Sequence, residues 1–200
     1  MKPDLNKSYW DERYKSGDDG WDIGYIPTPL QEYIKQLTDR TRRILIPGCG
    51  NGHEAEFLFQ KGFKNIYILD WSESALKNFK KRLPAFPRKN LLKEDFFAHK
   101  GKYDTIIEHT FFCSIYPESR ADYAKKMHEL LNTSGKLVGL LFDCEFTGKE
   151  PPFGGSRKEY LKYFKPYFDI KVFDTSYNSI KPRAKRELFM ILIRKELKKK

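Results

Sequence analysis

Short apolar runs alternate along this chain with longer stretches whose apolar positions recur at helical spacing. The first kind reads as buried strands and the second as amphipathic helices. Their alternation predicts an α/β fold built on a parallel sheet. Strands are expected at about 43–47, 66–70, 89–93, 103–108, 135–142, 168–174 and 187–194. Helices are expected near 29–38, 53–61, 73–82, 119–131 and 156–164. Ser72 and Glu73 supply a cap and a first-turn acid for the helix at 73–82. The last two strands, joined by the polar stretch 175–186, read as an antiparallel hairpin at the sheet's edge. No repeat or linker divides the chain. Residues 1–28, rich in aromatics and glycine, read as a lid segment over the site, 29–194 as the domain, and 195–200 as a basic tail.

In such a sheet, ligands bind beyond the carboxyl ends of the strands. The first strand runs into Pro47-Gly48-Cys49-Gly50-Asn51-Gly52-His53, with glycine at alternate positions and a helical pattern after it. Glycine lets backbone approach a ligand, and the free N–H groups of a helix start then face it. Asp70 closes the second strand, where an acid can accept both hydroxyls of a ribose. A dinucleotide fingerprint needs its third glycine at position 53, which is His53, and no Gly-Lys-Ser/Thr phosphate loop is present. Gly-x-Gly-x-Gly with a ribose acid points instead to S-adenosylmethionine (SAM). A plain structural turn is the weaker reading.

Two hundred residues suffice for one domain with a core. Three scattered cysteines, Cys49, Cys113 and Cys144, show no metal-ligand spacing, so no metal is expected. With no apolar leader and no stretch of membrane-span length, the expectation is a reduced, cytoplasmic protein. The net charge of +11 suggests nucleic acid, but residues 181–200 supply +7 of it. That distribution favours a solvated C-terminal end over a nucleic-acid partner. A small-molecule substrate and a monomer are expected. Glu12 and Arg13 read as a surface pair.

These residues make the chain resemble the thiopurine S-methyltransferase superfamily of SAM-dependent methyltransferases, and within it the halide/thiol (thiocyanate) methyltransferase branch. The resemblance runs from about Trp10 to Arg194. It rests on Pro47 before the glycine turn and on Trp21-Asp22-x-Gly24 with Thr28-Pro29-Leu30. It rests further on Phe111-Phe112-Cys113-Ser114-Ile115-x-Pro117-Glu118-x-Arg120 and on Pro151-Pro152-Phe153. The fold it implies is Rossmann-like, a mostly parallel seven-stranded sheet with one antiparallel edge strand and helices on both faces. It implies that Gly48, Gly50 and Gly52 line the methionine part of SAM, Asp70 holds the ribose, and Trp71 packs beside the adenine. It implies that Asp95 accepts from the adenine amino group, with Phe96 near the ring, while Trp10 and Trp21 close over the sulfonium end. Glu108 holds the family's acidic position, and the loop from His109 to Cys113 faces the substrate. The branch often has Tyr where His109 stands, so acceptor preference does not carry over.

Methyl transfer from a sulfonium is an in-line displacement that rewards placement and desolvation. Aromatic faces such as Trp21 can stabilise the cation. Thiolate, hydrosulfide, thiocyanate, halide or thiopurine acceptors need little general base, whereas oxygen or nitrogen acceptors need one, with His109 the candidate. The bland readings remain: His109 a loop histidine, Glu108 a strand-end hydrogen-bond acceptor, Cys113 a packing residue, Trp10 and Trp21 ordinary packing. Two other functions stay open: an RNA or protein methyltransferase docking through its basic C-terminus, and a SAM-binding protein without catalysis.

Overall fold

The computed structural model describes residues 3–197. Seven strands form a sheet in the order β3-β2-β1-β4-β5-β7-β6. The chain divides after His99 into two compact units.

The first unit carries β1 (Ile44–Pro47), β2 (Ile66–Asp70) and β3 (Leu91–Lys93). All pairing among them is parallel, with Pro47 opposite Leu69 and Asp70 opposite Lys93. Four helices accompany them: α1 (Lys7–Ser16), α2 (Thr28–Lys35), α3 (His53–Gln60) and α4 (Glu73–Arg82). Ile44, Leu45, Ile66 and Ile68 are buried together with Leu30, Ile34, Leu58 and Phe79 from the helices. That is the near-continuous apolar strand pattern of a parallel sheet covered on its faces. Helix α1 lies inside the segment expected as a lid and was not legible from periodicity. None of its residues is fully buried, so it carries no apolar stripe. Its ends carry the visible signals instead: Asn6 caps Tyr9 N–H, and Gly17 closes it at φ +72°.

The second unit carries β4 (Tyr103–His109), α5 (Arg120–Leu130), β5 (Leu131–Phe142), α6 (Arg157–Phe164), β6 (Phe168–Thr175) and β7 (Glu187–Arg194). Strands β4 and β5 are parallel, while β7 is antiparallel to both β5 and β6. The antiparallel strand β7 therefore lies between β5 and β6, and β6 takes the rim. Strand β5 starts four residues before its expected Gly135, directly after α5. Its register with β4 shifts between Tyr103 and Thr105, and Ser134 there adopts φ +59°. Phe112, Tyr123, Tyr160 and Phe164 form a buried aromatic cluster, with Phe112 within 5.7 Å of the other three ring centroids. Lys195, the first residue of the expected tail, is bound to this unit through the Lys165 carbonyl and Asp169. Lys198–Lys200 of that tail lie outside the described residues. No helix among the described residues is long and apolar enough to cross a membrane.

Candidate active site

Strand β1 ends in a turn in which Gly48, Gly50 and Gly52 all have positive φ, at +56°, +51° and +69°. A Cβ at Gly52 would stand 2.6 Å from the Phe79 ring, and one at Gly50 would meet the Tyr14 hydroxyl. Only glycine satisfies both the conformation and the space. Asp70, at the end of β2, is buried and reaches across to this turn. Its Oδ2 accepts from Gly50 N–H at 3.0 Å and its Oδ1 from Ser72 N–H at 2.8 Å. Burial pushes the Asp70 carboxyl up to about 6, against the amides of Ser72, Gly50 and Trp71, which favour the ionised form. A carboxylate has about four acceptor positions, so these amides do not exhaust its capacity to accept from a ligand hydroxyl. The bare turn backbone and the acid beside it fit the ribose and methionine ends of SAM.

The segment after α1 is fastened to the same turn. Asp22 accepts from Asn51 Nδ2 at 2.5 Å and Gly24 N–H at 2.7 Å, and lies 2.9 Å from His53 Nε2. Burial opposes ionisation of Asp22, but His53, Asn51 and Gly24 outweigh it and hold the carboxyl well below its usual range. Trp10 and Tyr14 each meet Trp21 edge-on at 5.6 Å. The Arg13 guanidinium lies over the Trp21 ring at 4.6 Å, so this indole already hosts a cation of the chain's own. Arg13 is paired with Asp18 and Glu12 with Lys15, which corrects the expected Glu12–Arg13 surface pair. Helix α1 is further anchored by Asp11, which accepts from Ser72 Oγ and Ser74 N–H at the start of α4.

Three further expected cofactor residues lie on this unit's strand ends. Trp71 follows Asp70 and is partly exposed. Asp95 is partly exposed, its Oδ1 accepting from Phe97 N–H at 2.9 Å. Phe96 is buried, 5.2 Å from the Phe97 ring centroid.

In the second unit, Glu108 is fully buried near the end of β4. Its Oε1 accepts from Phe111 N–H at 2.8 Å and Phe112 N–H at 2.9 Å, and the Tyr123 hydroxyl donates to its Oε2. Burial pushes its carboxyl up to about 7, against those three donors. Glu108 thus holds the loop from within. Gly139 lies opposite it on β5, where a Cβ would come within 2.5 Å of Glu108. Cys113 is buried, and its Sγ donates to the Thr110 carbonyl at 3.1 Å. Burial and then Glu108 push its thiol up to about 12, away from the thiolate form that a nucleophile needs. His109 Nε2 lies 3.0 Å from Arg183 Nη1.

Sequence reasoning missed the roles of Asp22, Asn51 and His53 around the glycine turn, and of Arg183 and Tyr123 around the β4 loop. Arg120 belongs to the Phe111–Arg120 motif, whose pattern carries no sign of its role. Arg120 is 1% exposed and donates to the Phe153 and Gly154 carbonyls and to Glu159. Phe153 N–H in turn donates to the Cys113 carbonyl at 2.7 Å, tying Pro151-Pro152-Phe153 to the β4 loop. Polar residues inside a turn and an arginine after a Pro-Glu pair were the available signals.

Residues 5–196 match the family described as thiopurine S-methyltransferase (TPMT). The chain is 31% identical to "Probable thiol methyltransferase 2" of Arabidopsis thaliana over 163 residues, which span 78% of this chain and 71% of that protein. It is 33% identical to "Thiocyanate methyltransferase 1" of Brassica oleracea over 153 residues, 72% of this chain and 66% of that protein. Among solved structures, it resembles Burkholderia thailandensis 1,6-didemethyltoxoflavin-N1-methyltransferase, whose crystals hold S-adenosylhomocysteine. The TM-score is 0.78 at 15% identity, covering 96% of this chain and 88% of that one. Magnesium protoporphyrin IX methyltransferase from Synechocystis PCC 6803 with bound SAH gives 0.73 at 16% identity, covering 96% and 100%. Likeness at this identity establishes the fold.

Proposed function

As the chain belongs to the thiopurine S-methyltransferase family of SAM-dependent methyltransferases, we propose that it methylates a small soft nucleophile. The acceptor class is a thiolate, hydrosulfide, thiocyanate or halide, with thiopurines included. The observation that carries this reading is the state of the β4 loop. Glu108 is bonded on both oxygens, the Cys113 Sγ donates to the Thr110 carbonyl, and the His109 Nε2 is engaged by Arg183. A site so arranged suits acceptors that need no proton removed.

SAM supplies a methyl carbon on a positively charged sulfur, open to in-line attack by a lone pair. Asp70 would accept the ribose hydroxyls, and the Gly48–Gly52 backbone would carry the methionine end. Trp71, Asp95 and Phe96 would hold the adenine. Trp10 and Trp21 would shield the sulfonium end within a lid formed by residues 3–28, and the Asp22 bonds to Asn51 and His53 support such a lid. Glu108 would act by shaping the loop on which His109 and Cys113 stand.

The test is S-adenosylhomocysteine formation from SAM with iodide, thiocyanate, hydrosulfide and 6-mercaptopurine. Turnover on at least one, abolished in Asp70→Ala, is expected. Clear SAM binding with no turnover on any would overturn the acceptor assignment.

A further inference from the structure

The second unit carries a largely buried cation that the acceptor reading does not by itself require. Arg183 closes the short helical turn Lys181–Arg183 between β6 and β7. Its Nη1 stands 3.0 Å from His109 Nε2 and 3.5 Å from Glu187 Oε1 on β7. Its guanidinium also lies 5.4 Å from the Phe142 ring centroid. The Arg183 and Glu187 side chains are 11% and 3% exposed, so the ion pair is nearly out of water. Such a pair persists only in a fixed geometry, because either charge alone would be strongly disfavoured there.

An arginine nitrogen can only donate. His109 Nε2 must therefore accept, which makes the ring neutral and puts its proton on Nδ1. A doubly protonated ring would set N–H against N–H. The other titratable groups on the loop are committed elsewhere: Glu108 to Phe111, Phe112 and Tyr123, and Cys113 to the Thr110 carbonyl. Cys113 feels both Glu108, which raises its thiol, and Arg183, which lowers it.

We propose that Arg183, balanced by Glu187, is a positioning residue that holds His109 as the neutral Nδ1-protonated imidazole, so that His109 removes no proton and the acceptor enters as an anion. This rests on the reading of the β4 loop as the acceptor's side. The anion's lone pair forms the new bond to the methyl carbon. The carbon–sulfur bond of SAM breaks with its electron pair left on sulfur, and no proton moves. At saturating SAM and above pH 7, where Asp70 stays ionised, iodide then reacts at a rate independent of pH, while a thiol reacts in proportion to its own thiolate fraction.

Two measurements test this on the full chain. The first compares kcat/KM for iodide and for a small thiol such as 2-mercaptoethanol in wild type and His109→Gln. The glutamine keeps an oxygen for Arg183. Both acceptors should fall by the same factor, leaving the thiol-to-iodide ratio within about 3-fold of wild type. A selective loss of the thiol reaction by about 100-fold or more is the signature of a missing base and would overturn the proposal. The second reads the His109 tautomer from imidazole 15N shifts at pH 7.5. The Nδ1–H form is expected in wild type, lost in Arg183→Met and restored in Arg183→Lys. An Nε2–H or charged ring in wild type would overturn the positioning role, whatever the kinetics show. If no soft acceptor turns over at all, the acceptor assignment fails, and the tautomer still decides the part played by Arg183.

Discussion

Asp22 and Asn51 are joined by a 2.5 Å hydrogen bond, and the same Asp22 carboxylate sits 2.9 Å from His53 Nε2. One acid from the segment after α1 thereby grips both the glycine turn and the first residue of α3. Asp22→Ala removes the acceptor shared by these groups and by Gly24 N–H. It should lower stability by about 2 kcal/mol, the scale of hydrogen bonds to a charged, partly buried group. Amide hydrogen exchange at residues 17–24 should rise while the strands stay protected. Uniform loss of protection across the first unit would show that Asp22 holds the core and not the segment.

Asp70 makes SAM binding depend on pH. Its carboxyl is raised to about 6, chiefly by burial. In the free protein, ionisation is therefore unfavourable, and Asp70's contribution to stability is full below the unfolded value of 3.8 and lost as pH rises through about 6. Binding has the opposite sign, because the ribose hydroxyls need an acceptor. SAM affinity measured by calorimetry should be constant above pH 7 and weaken roughly tenfold per unit below about 6. Asp70→Asn should flatten that dependence, and an unchanged profile would remove Asp70 from the ribose.

Glu108 should govern stability without governing chemistry. Its folded value of about 7 lies above the ordinary 4.5, so its contribution is full below 4.5 and lost as pH rises through 7. Glu108→Gln keeps an oxygen for Phe111 and Phe112 N–H and replaces the acceptor of the Tyr123 hydroxyl with an amide N–H that can donate to it. Thermal melts should show the wild type losing stability relative to this variant between pH 4.5 and 7. The difference should be of the order of 3 kcal/mol. Parallel melting curves across that window would contradict the assignment.

Arg120 is expected to be among the most sensitive positions of the second unit. Its removal takes from the Phe153 and Gly154 carbonyls the guanidinium that donates to them, takes from Glu159 its ion-pair partner, and removes the cation beside Phe112, 4.7 Å away. Arg120→Met should cost about 3–5 kcal/mol in denaturant unfolding, as breaking buried charged contacts does. Arg120→Lys should recover only part of that, since an ammonium cannot reproduce the planar fork. Full recovery by lysine would mean that charge alone matters there.

The strands were legible as apolar runs, near-completely buried in Ile66–Asp70 and buried at alternate positions along Glu187–Arg194. The glycine turn and Asp70 were legible because their residue types are dictated by backbone geometry and by one acid at a strand end. Helix α1 was not, since a helix held by Asp11 and by edge-on aromatics needs no apolar stripe. Nor was the start of β5, where the positive φ of Ser134 and the register shift depend on pairing with β4. The Arg183–His109 contact joins residues 74 positions apart in a polar connection without periodicity, so only the folded chain reveals it. The same holds for Asp22 and Asn51, whose meeting depends on where α1 docks.

The most direct test supplies SAM with a deuterated methyl group together with thiocyanate or iodide, and analyses the volatile products by mass spectrometry. Trideuterated methyl thiocyanate or methyl iodide, formed in proportion to enzyme and lost in Asp70→Ala, is the predicted result. Tight SAM binding with no labelled product from either anion or from hydrosulfide and thiol acceptors would contradict the account.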